Sequence, residues 1–187
     1  MVTDDRINML AKVARTPHGT YAGTTGERSI LTLAAASYGS KPTDEATVPT
    51  GFDPFAAALF ESIVEGAYLV ATADGIFDEE ERKTFERIVT AACGGMVPRN
   101  LVGDLVADLS DQLGEDGLEL RIKRLGDSIT KKEQATEVLR IAALIASVSE
   151  DVSAIEREVL DRIAVAFKLE AGAVDSALED VKKSLAT

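Results

Sequence analysis

The sequence predicts an all-α fold. Three observations carry that prediction. From Phe55 onward apolar side chains recur with the helical period, and no stretch alternates apolar and polar residues between hairpin turns. Gly94-Gly95, Gly114 and the Gly126 region offer breaks between the periodic segments. The expected architecture is about seven helices over residues 55–187, with two pseudo-symmetric helical hairpins forming a four-helix core. An N-terminal arm of residues 1–54 precedes them.

The elements follow in order along the chain. Thr3-Asp4-Asp5 opens a short helix through Ile7, Leu10, Ala11 and Ala14, and Pro17 closes it. Gly/Thr-rich sequence over 16–26 leads to an apolar helix at 28–38, and a linker with Pro42, Pro49 and Pro54 spans 39–54. The arm's Ile30, Leu31, Leu33, Ala34 and Ala35 require burial on the main domain or on another subunit. Leu59, Phe60, Ile63, Val64, Ala67, Val70 and Ala71 then form one stripe of a long helix, with Glu61, Glu65 and Thr72 on another. Further helices are expected at 79–93, 99–113, 118–129, 132–148, 154–167 and 172–185.

The 187-residue chain has 20 Lys+Arg against 32 Asp+Glu, a formal net charge of −12. Residues 1–54 carry 5 basic and 6 acidic side chains, and residues 55–187 carry 15 and 26, so −11 of that charge lies in the second part. Such a surplus repels phosphate backbones and anionic headgroups, which argues against nucleic acid and polybasic membrane docking as partners. It favours cations or a protein partner with a basic surface. With 45% hydrophobic residues the chain holds enough apolar surface to fold. His18 is the only histidine and Cys93 the only cysteine, so one chain supplies no disulfide and no Cys/His zinc site of the usual kind. The longest uncharged run, residues 29–40, is too short to span a bilayer, and Met1 to Arg6 lacks the basic start of a secretory signal. The expected location is cytoplasmic.

An internal repeat organises the second part. A shift of 75 residues pairs 65–88 with 140–163 without a gap, with 7 of 24 positions identical. The identities are Ala67/Ala142, Leu69/Leu144, Ala71/Ala146, Glu81/Glu156, Arg82/Arg157, Arg87/Arg162 and Ile88/Ile163. Each copy is an apolar small-residue helix, a short acidic loop and an amphipathic helix opened by a capping box, Asp78-x-x-Glu81 or Ser153-x-x-Glu156. Alanines in each apolar stripe allow the two hairpins to approach closely.

The stretch Leu69-Val-Ala-Thr-Ala-Asp74-Gly75-Ile-Phe77-Asp78-Glu-Glu-Glu81, with Ile141-Ala-Ala-Leu-Ile-Ala146 and Val152-Ser153-x-x-Glu156 in the second copy, resembles the tellurite-resistance TerB-like family. The resemblance covers roughly residues 55–187. It implies an all-helical fold around a pseudo-two-fold core, an association with bacterial tellurite and stress-response operons, and acidic loops that bind a metal or a partner. The second copy departs from the family pattern: Ser149 aligns with Asp74 and Glu150 with Gly75. Residues 1–54 have no counterpart in it.

The first acidic loop admits two readings. In one, Asp74, Asp78 and Glu81 converge across the turn and hold Ca²⁺ or Mg²⁺ weakly through oxygen ligands. In the other, Gly75 takes the left-handed position after the helix, Asp74 caps the loop, and Asp78 with Glu81 makes a capping box. Glu150, Asp151 and Glu156 form a weaker second-copy candidate, along with Glu158, with a solvated helix start as the alternative. Cys93 reads as a small buried residue at a helix end, His18 as a loop residue, and Gly23-Thr-Thr-Gly26 as an unaccompanied glycine pair without the lysine of a phosphate loop. The expected function is a non-enzymatic TerB-like module that binds a divalent cation, a protein partner or both. The alternatives are a purely structural adaptor or oligomer subunit assembled through its arm, and a carboxylate-metal hydrolase.

Overall fold

The computed structural model describes residues 2–18, 28–42, 52–75, 77–149 and 152–186. Among these the fold is all-helical, with no strand. In chain order the helices are α1 (Asp4–Arg15), α2 (Ile30–Gly39), α3 (Pro54–Ala71), α4 (Glu79–Ala92), α5 (Arg99–Ser128), α6 (Lys132–Ala146), α7 (Ala154–Ala166) and α8 (Ala173–Leu185). A 3₁₀ turn, Ser147–Ser149, finishes α6.

Local chemistry sets most of the boundaries. Thr3 caps α1, Ser29 caps α2, and Asp53 accepts from the Phe55 and Ala56 N–H groups at the start of α3. Pro54 belongs to α3 rather than to the linker, because a proline in the first helical turn gives up an N–H that has no partner there. The two helices expected at 99–113 and 118–129 are both present, joined within α5 across a kink at Gly117 (φ 73°, ψ 161°) rather than at Gly114. Gly126 lies inside α5 and breaks nothing. It serves close packing instead, since a Cβ there would sit 2.8 Å from the Ala166 carbonyl oxygen.

The repeat's first helices, α3 and α6, pack together at the centre of the molecule. Phe60, Ile63, Ala67, Val70, Ala142, Ala143 and Leu144 are buried there, and Gly66 leaves room for Val138. α2 lies along α3, α1 along α4, and α8 along α6, while α5 touches α3, α4 and α7. The arm residues Ile30, Leu31, Ala34 and Ala35 are thus buried within their own chain. By length and hydropathy α3 is the one helix among the described residues that is long and apolar enough to cross a membrane; 67% of it is buried in the core.

Charged groups sit inside this core. Glu65 of α3 accepts from Arg121 of α5 at 2.8 Å (Nε) and 2.6 Å (Nη2), and Asp116 accepts from both Arg121 and Arg124. Arg140 of α6 is held by Glu137 at 2.8 and 2.9 Å and donates to the Val13 and Ala14 carbonyls at the end of α1. Glu65 and Arg140 occupy the same repeat position with opposite charge. Both pairs tie a repeat helix to something outside its own hairpin or one turn away.

Candidate functional site

Both capping boxes form. In the first, Asp78 Oδ1 accepts from the Glu80 and Glu81 N–H groups at 2.8 and 2.9 Å, and Glu81 Oε2 accepts from the Asp78 N–H at 2.9 Å. In the second, Ser153 Oγ accepts from the Glu156 N–H at 3.2 Å and Glu156 Oε2 from the Ser153 N–H at 2.8 Å. Each box satisfies helix N–H groups that lack intrahelical partners. Gly75 takes the left-handed conformation (φ 79°), and its N–H donates to the Thr72 carbonyl.

The capping geometry accounts for how the first-loop carboxylates are arranged. Asp78 and Glu81 come together, but their contact is through the backbone, with one oxygen of each engaged by N–H groups. Asp74 is exposed. Among the described residues no group of three or more His, Cys, Asp or Glu side chains is disposed to hold a metal ion. Glu150 and Asp151 lie outside the described residues, as does Gly23-Thr-Thr-Gly26.

What the structure adds is a groove of about 400 Å³ where the two loops meet. Its floor is apolar, with Ala71, Phe77, Phe85 and Ile88 from the first copy, Ile145 and Val148 from the second, and Val2 from the N-terminal arm. Its acidic lining is Asp78, Glu80 and Glu81 from the first copy and Glu156 from the second. Thr84 also lines it, one turn beyond Glu80 on α4. Phe77 and Phe85 are fixed by edge-on packing with Tyr68, at ring-centre distances of 5.2 and 6.0 Å. The α3–α4 turn therefore rests on an aromatic cluster, where the α6–α7 turn has Val152 and Leu160 at the equivalent positions.

Sequence reasoning located the two boxes separately and missed that they face one cavity. The signal was present in the Glu81/Glu156 identity, but only the packing of α3 against α6 brings those positions together. The remaining reactive side chains lie elsewhere. Cys93 is fully buried at the end of α4, and burial pushes its thiol up to about 12, which removes the thiolate needed for nucleophilic or redox work. His18 Nε2 lies 3.2 Å from Asp180 Oδ2 on α8.

No protein-family model matches the chain, and no curated protein or solved structure is significantly similar to it.

Proposed function

We propose that this chain is a non-enzymatic protein-interaction module of the TerB-like type, acting in the cytoplasm of a bacterium under stress, and that it takes its partner in the groove between the two repeat loops. The observation that carries this reading is the placement of Glu81 and Glu156. They are equivalent in the repeat, and both line one cavity that is also lined by apolar side chains of the two copies. An apolar centre inside a polar rim is the usual makeup of a recognition surface. The non-enzymatic part rests on Cys93, which is buried and protonated, and on His18, which pairs with Asp180 away from the groove lining.

A divalent cation at Asp74, Asp78 and Glu81 competes for the same loop. The N–H groups already on Asp78 Oδ1 and Glu81 Oε2 weigh against it, because they leave an ion only one uncommitted oxygen on each carboxylate. A purely structural adaptor would leave the groove without a role.

The test is affinity capture from the native host with wild type and Thr84→Trp side by side, the indole filling the groove. Partners held by wild type and lost by Thr84→Trp support the reading. Identical sets from both proteins, or none from either, overturn it.

A further inference from the structure

We infer that the groove accepts a cationic amphipathic helix from the partner protein, its apolar side chains on the floor and its Lys or Arg side chains on Glu81 and Glu156. The inference rests on the groove being the partner site and adds the chemistry of the occupant.

Charge comes first. Asp78, Glu80, Glu81 and Glu156 line the cavity, and among the described residues no Lys, Arg or His lines it with them. Among the described residues none of the four has an ion-pair partner in the chain. Their neighbour Glu79, which does not line the groove, is bracketed by Arg82 at 3.0 Å and Lys83 at 3.3 Å. The N-termini of α4 and α7 oppose this field with roughly +0.5 elementary charge each, far less than four carboxylates supply. The cavity is net negative and repels an anionic occupant.

Two further features favour a helix carrying cations over a free cation. The floor of Phe77, Phe85, Ile88, Ile145 and Val148 offers apolar contact that a hydrated ion does not use, while the aromatic rings also attract a Lys or Arg head. Its volume of about 400 Å³ suits a few side chains from one helix face, the i, i+3, i+4, i+7 pattern by which amphipathic helices dock in grooves. Glu81 and Glu156 are also held in place by their caps, so little side-chain entropy is lost when a cation pairs with them.

The test is fluorescence anisotropy of a labelled Lys/Leu amphipathic helix, with leucines at i, i+3, i+4 and i+7, against the full chain. A Glu/Leu peptide with the same leucines serves as the comparison. Glu81→Gln with Glu156→Gln is the informative variant, because glutamine preserves the capping box while removing the charge. Exposed pairs contribute about two- to five-fold each, so the double variant should bind about four- to twenty-five-fold more weakly. Asp104→Asn with Asp108→Asn removes the same charge from the exposed face of α5 and should leave binding nearly unchanged. Raising salt from about 0.1 M to about 1 M, which shortens the screening length from about 10 Å to about 3 Å, should weaken the wild-type complex.

Equal binding of the Glu/Leu peptide overturns the inference, as does equal weakening by the Asp104 and Asp108 pair. Capture that depends on the groove, with no binding of the Lys/Leu helix, overturns the cationic helix alone. Thr84→Trp without effect in either assay overturns the groove as the partner site as well.

Discussion

Replacing Arg121 with methionine should be among the most damaging single changes to the fold. Glu65 and Arg121 are each 8% exposed, and their ion pair joins α3 to α5 just past the Gly117 break. Arg121→Met leaves the Glu65 carboxylate buried without its counter-charge and takes one of two arginines from Asp116. Removing one partner of a buried pair costs about 3–5 kcal/mol. With a urea dependence of about 2 kcal/mol per molar, the midpoint of unfolding should fall by about 2 M. The double variant Glu65→Leu with Arg121→Met should recover most of that loss, since apolar replacement of a whole buried pair is often neutral. Asp116 keeps Arg124 in that variant.

A pH series sharpens the test. Burial holds the Glu65 carboxyl above its ordinary range, outweighing the hydrogen bond and charge of Arg121. The folded chain therefore binds that proton more readily than the unfolded chain does. Stability tied to Glu65 is present below the ordinary carboxylate range and is lost as pH rises through the raised value. Without Arg121 this dependence steepens, so the deficit of Arg121→Met should be larger near about pH 7 than near about pH 5. The assay is urea unfolding followed by far-ultraviolet circular dichroism. A loss below about 1 kcal/mol, or a double variant as unstable as the single, would refute the reasoning.

Other predictions follow from the same geometry. Gly126→Ala should destabilise by up to about 2 kcal/mol in thermal melts, because overpacking against Ala166 costs about 1–3 kcal/mol and the better helix former returns only about 1. Gly114→Ala, with nothing within 4 Å of the added Cβ, should stabilise by about 0.5–1 kcal/mol. Asp78→Ala should cost about 0.5–2 kcal/mol in urea unfolding, while Glu81→Gln should cost almost nothing. In calorimetric titrations Ca²⁺ and Mg²⁺ should give no heat that depends on Asp74; heat that vanishes in Asp74→Ala would restore the metal reading.

The features legible in the sequence are those set by short spacings. Asp78-x-x-Glu81 and Ser153-x-x-Glu156 announce their boxes because capping is decided within four residues. The apolar stripe of α3 and the end of α4 at Gly94-Gly95 are local in the same sense. A break between residues 113 and 118 was legible from Gly114, but its position at Gly117 was not, and Gly126 looks like another break until α7 is placed and Ala166 packs against it. Glu65 reads as a member of the polar stripe with Glu61 and Thr72, and nothing local to Arg140 marks it as buried. Their burial depends on partners from other elements, Arg121 from 56 residues away and the carbonyls of α1 from 126 and 127. The groove was hidden for the same reason. Its floor residues are ordinary members of two core stripes, and only the juxtaposition of α4 with the end of α6 leaves Thr84, Ile145 and Val148 on one cavity wall.

The proposed partner site draws on both repeat copies. Amide and methyl chemical shifts of the full chain, followed while the Lys/Leu helix is titrated in, test it most directly. Perturbations are expected on both copies together, at Glu81, Thr84 and Ile88 and at Ile145, Val148 and Glu156. Shifts confined to one hairpin, or centred on the α5–α7 face where Ile122 and the exposed Val165 lie, would contradict it.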